Sequence, residues 1–382
     1  MTEKAAGKEI TKSATARSRH IDHQIDHDRD EKHREVQLLI LGGGGSGKST
    51  FIKQLRIHHG DGYPVEERKR MKYDVYENAI DAFHRVVKNM KELSITLEIV
   101  DNSKKYETLC ETYPMQEILC VFPNVENGNS ALRSPQLSRS RPQPSEIPAQ
   151  LLSIWEDAGF QRAFNLREKF CDPLTEAEIY FLEHFIRVSN KHYIPTVQDL
   201  LHVRKPTVGV QEHSFRVQEF LFRVIDVAGQ KSQRKKWMHF FDGVTAVIFF
   251  VALSGFNEQL EEDSTMNKLH DSLEIFEEVT RNKFLLIADF ILFLNKQDLF
   301  LQKLENGLSI RTAFPEFKEK SGAVNPDASI KYIRNKFFAT APQNKMIYPH
   351  VSCAIDIDLM KVIIDDVLQI IMEINLKKAA LI

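Results

Sequence analysis

Apolar residues recur along this chain in two rhythms. Residues 36–41 (Val-Gln-Leu-Leu-Ile-Leu) form a short run that stops against glycines, which predicts a buried strand, and 50–57 predict the helix after it. Further strands are predicted at 220–226, 245–252 (Thr-Ala-Val-Ile-Phe-Phe-Val-Ala), 290–294 and 347–352. Helical stretches at 257–281, 328–338 and 358–376 separate or follow them. Nearly all-apolar strands alternating with helices imply a parallel sheet covered on both faces. From about 63 to 100 and from about 151 to 193 the pattern is helical, with few β-branched runs. The economical organisation is an α/β domain (35–60 and 200–382) interrupted after its first helix by an all-helical insert (61–199). Within the insert, 123–149 hold Pro123, Pro135, Pro142, Pro144 and Pro148 among Ser, Asn and Arg, which predicts a floppy surface excursion. Residues 1–34 are strongly charged and fit either a helix awaiting a partner or a disordered tail.

Composition narrows the classes. Hydrophobic residues make up 42% of the 382 and charged residues 27%, which excludes disorder of the whole chain. A formal charge of −2 gives no electrostatic case for bulk nucleic-acid binding. Cys110, Cys120, Cys171 and Cys353 form no CxxC pair, which argues against a disulfide framework or a structural zinc site. No apolar stretch is long enough to span a bilayer. Thr2 is not a myristoylation glycine, no Cys lies near the N-terminus, and Ala379-Ala380-Leu381-Ile382 has no Cys to prenylate. Membrane contact is therefore expected to be indirect, through partners at the inner face of the plasma membrane, beside a cytoplasmic pool.

Gly42-Gly43-Gly44-Gly45-Ser46-Gly47-Lys48-Ser49 satisfies GxxxxGK[ST]. The glycines let backbone N–H groups converge on phosphate oxygens, and the helix start adds positive potential. Lys48 would reach the β- and γ-phosphates, and the Ser49 hydroxyl would hold Mg²⁺. From average residue frequencies a chance match is on the order of one in a hundred. A plain glycine-rich turn would need neither the strand before it nor the helix after it. A P-loop alone leaves kinases, ATPases and GTPases open. Asn295-Lys296-Gln297-Asp298, directly after the strand ending at Leu294, discriminates among them. An Asp carboxylate there accepts both N–H groups on the N1/N2 edge of guanine, whereas adenine would leave it desolvated and unpaired. The Lys296 stem can lie along the base, and Asn295 can tie this loop to the P-loop.

With these segments, His59–Tyr63, Tyr193–Thr196, Asp226–Gln230, Val251–Gly255 and Ser352–Ala354, the chain resembles heterotrimeric G-protein α subunits along nearly all of residues 20–382. The resemblance implies a Ras-like P-loop GTPase domain, a mostly parallel sheet with helices on both faces, carrying an inserted all-helical domain. It implies GTP and GDP as ligands with Mg²⁺, and phosphate contacts from Gly45, Ser46, Gly47, Lys48, Ser49, Thr50 and Gly229. Asn295, Lys296 and Asp298 would bind guanine, with the Ala354 N–H against its O6. Leu201, His202, Val203 and Arg204 would form switch I beside the ribose. Thr207 would join Ser49 on Mg²⁺, with Asp226, which closes an apolar strand, acting through a bound water. Gln230 would orient the attacking water. Arg204 matches the family's arginine finger; α subunits are the standard instance of one supplied within the chain.

Alone, Arg204 in a polar loop would be an ordinary solvated residue and Asp226 an ordinary cap; their joint order favours chemistry. Among partners the resemblance implies a βγ dimer, a G-protein-coupled receptor and an effector. Lys236, Trp237 and Phe240 of switch II would face βγ or the effector, and Leu381 and Ile382 the receptor. Several positions depart from the family. Gly45 stands where a Glu is usual, Ala228 replaces a Gly, Val208 a Thr, and Ala158 a Ser, while Pro206 precedes Thr207. These keep open a second class, a nucleotide-binding scaffold with weak hydrolysis or unusually fast GDP exchange. A small-molecule P-loop kinase has little support beside Asn295–Asp298.

Overall fold

In the computed structural model, which describes residues 34–112, 147–207, 209–318 and 325–378, the chain begins with β1 (Glu35–Gly42) and α1 (Lys48–His59). Helices α2 (Val65–Arg70), α3 (Lys72–Glu92), α4 (Val100–Thr112), α5 (Ile147–Trp155), α6 (Ala158–Asn165), α7 (Glu176–Glu183), α8 (Phe185–Val188) and α9 (Val197–His202) follow. Then come β2 (Val210–Val217), β3 (Phe220–Val227), β4 (Ala246–Ala252), α10 (Lys268–Thr280) and β5 (Asp289–Asn295). Last are α11 (Gln297–Glu305), α12 (Pro326–Thr340), β6 (Ile347–Val351) and α13 (Ile357–Lys378). The charged segment before residue 34, nearly all of the 123–149 loop, Val208, Leu381 and Ile382 lie outside the described residues.

The strands form one sheet in the order β2-β3-β1-β4-β5-β6. Only β2 runs antiparallel, pairing β3 from Val210↔Val227 to Val217↔Phe220. Parallel strands buried on both faces send successive side chains to opposite cores. Leu39, Leu41, Phe249 and Leu292 pack with Phe276 of α10 and Phe337 of α12. Leu38, Ile40, Ile248 and Ile291 pack with Phe51 and Leu55 of α1 and with Met360 and Ile364 of α13. Register brings the carboxyl ends of the strands level: Ile40 lies opposite Asp226, Gly42 opposite Phe250 and Ala252 opposite Asn295. That edge is where open α/β sheets place ligands.

Three elements differ from the sequence expectation. β2 was not anticipated, because its outward positions are polar and it is an exposed edge. The helix expected over 257–281 starts only at Lys268, where the Asn267 side chain caps the N–H groups of Leu269 and His270. Residues Leu253–Asn257 form a 3₁₀ turn instead. α11 was also unforeseen.

Internal contacts divide the chain into two compact units, with junctions at Gly60/Asp61 and Pro206/Thr207. The return expected at residue 200 thus falls at 207. The reason is local: Val203 is buried in the helical core, and the Asn78 side chain clamps the Arg204 main chain from both sides, at 2.8 and 3.0 Å. The core of this helical unit is built on α3, whose Val75, Ala79, Phe83, Val86 and Met90 follow the period of one helix face.

Asp199 organises the end of the helical unit. It is fully buried and accepts from both Arg187 guanidinium nitrogens (2.9 and 2.7 Å), Tyr180 Oη and Tyr193 Oη (both 2.8 Å) and the Thr196 N–H (2.8 Å). Burial alone would raise its pKa, but Arg187 and the three neutral donors hold it below the ordinary carboxylate range. The ionised form is therefore favoured by folding: its stabilisation is complete above the ordinary carboxylate range and fades as pH falls through the depressed value. Asp199→Ala removes the acceptor shared by Arg187, Tyr180, Tyr193 and the Thr196 N–H and is expected to destabilise the helical unit by about 3 kcal/mol. Urea denaturation at neutral pH checks this, and the difference from wild type should shrink in strong acid.

Candidate functional site

The site is assembled at the carboxyl edge of the sheet, beginning with the turn between β1 and α1. Gly47 caps α1 with φ of 105°, and a Cβ there would lie 2.1 Å from Asn295 Nδ2. Glycine is thus required twice, for the backbone conformation and for the approach of Asn295. Ser46 is buried and its hydroxyl donates to the Gly43 carbonyl at 2.9 Å, while Thr50 is half-buried in the first turn.

Lys48 is buried, and its ammonium donates to the Gly42 and Gly43 carbonyls at 2.9 and 2.8 Å. Burial lowers its pKa to about 8 against the opposing pull of Asp226. Asp226 ends β3 almost fully buried, and burial raises its pKa although Lys48 works the other way. Ser49 Oγ lies 2.9 Å from Thr207 Oγ1, and Asp226 Oδ2 lies 3.4 and 3.5 Å from the two hydroxyls. Among the described residues, Asp226 Oδ1 is buried without a hydrogen-bond partner. Two hydroxyls and a carboxylate with one unpaired oxygen form a hard donor set, which fits a Mg²⁺ that completes its shell with water and phosphate oxygens. Among the described residues no group of three or more His, Cys, Asp or Glu could hold a metal by itself.

Switch II follows. Gly229 is buried and its carbonyl accepts from Arg234 Nε at 3.2 Å; Gln230 is exposed. Arg234 also forms two 2.7 Å bonds to Asp271 of α10. Residues Lys231–Phe240 form a 3₁₀ segment in which Trp237 is buried and donates its indole N–H to the Ala228 carbonyl at 2.9 Å. The expectation that Trp237 faces a partner is corrected by this inward bond and by its place in the core with Phe241 and Phe276. Lys236 is exposed and Phe240 half-buried, so these two remain at the surface.

The Asn295 segment is held at three points. Asn295 is buried; its Nδ2 donates to the Ser46 carbonyl at 2.8 Å, and its Oδ1 accepts from Ser352 Oγ at 3.1 Å and from the Ala354 N–H at 2.9 Å. The Ala354 N–H, expected against guanine O6, donates to Asn295 Oδ1 in this structure. Lys296 takes a left-handed conformation (φ 63°) as the cap of α11, and Asp298 stands exposed in the first turn. Cys353 was not singled out for a role from the sequence. Burial pushes its thiol up to about 12, helped by the Asp298 carboxylate to which it donates.

Arg204 belongs to the helical unit, exposed, with its main chain fixed by Asn78. Leu201 and Val203 are buried, and His202 stacks on Tyr180 with ring centroids 3.6 Å apart. The three side chains are therefore occupied in packing within the helical unit. Sequence reasoning also missed Asp271, whose pairing with Arg234 joins residues far apart in the chain.

Gly47→Ala places a methyl against Asn295 Nδ2 on a strained backbone. We expect it to weaken guanine-nucleotide binding by at least about tenfold. Equilibrium titration with a fluorescent guanine nucleotide checks this; unchanged affinity refutes it.

A protein-family model described as G-protein alpha subunit matches residues 15–371. The match includes the phosphate turn, the paired hydroxyls with Asp226, and the Asn295 segment that meet at the sheet edge. The chain belongs to the G-protein alpha subunit family and is a guanine-nucleotide-binding alpha subunit.

Proposed function

We propose that this alpha subunit hydrolyses GTP in a Mg²⁺-dependent reaction and switches between partners, coupling a membrane receptor to an effector through a βγ dimer. The observation that carries the proposal is the convergence of Ser49, Thr207 and Asp226 oxygens within 3.5 Å of one another beside buried Lys48. Bound Mg²⁺ would supply neutralisation of charge on the β- and γ-phosphate oxygens. Lys48 leaves its two carbonyls to meet phosphate, adding fixed positive charge where negative charge develops. Gln230, exposed after buried Gly229, orients the attacking water, and Arg204 contributes a cation to the transferring oxygens. Asp298 accepts the two N–H groups of the base. Lys236 and Phe240 face βγ or the effector, and Leu381 and Ile382 belong to the receptor-facing end. No described helix is long and apolar enough to cross a membrane. Attachment to the inner face of the plasma membrane is proposed to come from the partners.

One observation favours the second reading, a subunit that exchanges GDP unusually fast. Gly45 is exposed with φ of 70° and nothing within 4 Å of where a side chain would start. The family's glutamate at this place would pair with the arginine finger, and this chain has no carboxylate there. Restoring it by Gly45→Glu sets its Cβ in open space but accepts a left-handed backbone, a strain of about 1 kcal/mol.

In single-turnover GTP hydrolysis, Arg204→Cys and Gln230→Leu are each expected to slow the chemical step at least about tenfold. No effect in either variant sinks the enzymatic reading. Gly45→Glu is expected to slow GDP release several-fold, about what a partly exposed ion pair contributes. A GDP off-rate equal to wild type would reject the fast-exchange explanation.

A further inference from the structure

A second concavity, outside the phosphate turn, lies over the last strand of the sheet. β6 is an edge strand. Its Pro349 and Val351, two residues apart and so on one face, line a cavity of about 190 Å³. Facing them, α12 contributes Asp327, Ile330, Lys331 and Arg334, and Gln297, the first residue of α11, also lines the space. The spacing of the four α12 residues sets them in one stripe along the helix. Of that stripe only Ile330 is apolar and buried. The other three carry charge.

The two cations lack an anion. Lys331 is exposed and Arg334 half-buried, and among the described residues neither pairs with a carboxylate. Arg334 Nε is buried without a hydrogen-bond partner, while the guanidinium carbon lies 5.9 Å from the centre of the Phe338 ring. Arg85, Arg187 and Arg234, by contrast, each meet a carboxylate within 2.8 Å. Like charges one helical turn apart repel, and a buried guanidinium nitrogen without an acceptor destabilises the fold. An acceptor supplied from outside removes both penalties together.

Size and lining select that acceptor. At about 30 Å³ per water the cavity holds roughly six, well short of the 300 Å³ or so at which pockets begin to take drug-sized ligands. A small oxyanion is the class that fits. Asp327 narrows the choice, because a carboxylate beside an anion repels it unless the anion has a hydrogen to donate. Hydrogen phosphate has that hydrogen and sulfate at neutral pH has none. The apolar surfaces of Ile330, Pro349 and Val351 exclude water and so strengthen charge-assisted bonds.

We propose that the cavity between α12 and β6 is a binding site for inorganic hydrogen phosphate. Arg334 offers its planar donors to two oxygens, Lys331 adds a point charge, and Asp327 accepts the hydrogen. The site shares no residue with that of the nucleotide, so its failure would leave the nucleotide reading standing.

The test is calorimetric titration of the full chain, its nucleotide site kept filled by Mg²⁺ and a non-hydrolysable GTP analogue so that added phosphate cannot enter there. Wild type should bind phosphate saturably and at least about tenfold tighter than sulfate. Arg334→Gln, and separately Lys331→Gln, should weaken phosphate binding at least about tenfold. Asp327→Asn relieves the repulsion of sulfate and should bring the two anions within about twofold of each other. Phenyl phosphate distinguishes an ester from the free ion: at about pH 8 its dianion lacks the hydrogen and should bind as poorly as sulfate. No saturable binding by wild type, equal binding of sulfate, or undiminished affinity in Arg334→Gln overturns the assignment. So does tighter binding of phenyl phosphate, or an Asp327→Asn variant that still discriminates as wild type does.

Discussion

Everything at this sheet edge depends on the amide of Asn295 being buried and paired at both its oxygen and its nitrogen. One side chain receives the Ser352 hydroxyl and the Ala354 N–H and gives a hydrogen to the Ser46 carbonyl. Three loops that are remote in sequence thereby share one rigid junction. Removing the Asn295 amide would take away the partner of the Ser46 carbonyl, the Ser352 hydroxyl and the Ala354 N–H at once, which is costlier than any one bond is favourable. The junction is also why Gly47 must be glycine: the amide nitrogen fills the space a side chain would take.

Beside this neutral junction the site keeps two opposed charges out of water. Lys48 rests on carbonyls and Asp226 has one oxygen paired and one not. Burial displaces both pKa values toward the neutral forms, and each partner restrains the other. Such an arrangement is unfavourable as a fold element alone and favourable once phosphate and a divalent cation complete it. The same contrast holds across the molecule. In the helical unit Asp199 has donors for both oxygens; at the sheet edge one Asp226 oxygen has none among the described residues.

How much of this the sequence disclosed depends on distance along the chain. The phosphate turn, Asp226 and the Asn295 segment were legible because their spacing to a neighbouring strand or helix is itself the signal. The parallel strands were legible because burial on both faces makes them continuously apolar. β2 was not, since Gln211, Glu212, His213 and Ser214 read as a polar loop and its hairpin turns at Gln218 (φ 53°), without a glycine or asparagine to announce it. The inward turn of Trp237 depends on the Ala228 carbonyl, and the use of the Ala354 N–H depends on Asn295; neither leaves a local pattern. The boundary near residue 200 was misplaced for a similar reason, because Asn78 and the helical core claim residues that precede the return to the sheet.

The second junction has a mechanical consequence. Thr207 is the first residue of the returning chain, it follows Pro206 directly, and its hydroxyl meets that of Ser49. Three residues later the chain enters β2, whose hairpin with β3 sets Val210 and Gln211 opposite Val227 and Asp226. The returning chain is therefore held at a hydroxyl 2.9 Å from Ser49 Oγ, with a proline on one side and a hydrogen-bonded ribbon further on. A change of backbone angle at Pro206 therefore acts first on the residue whose hydroxyl meets Ser49, before it reaches any strand of the sheet.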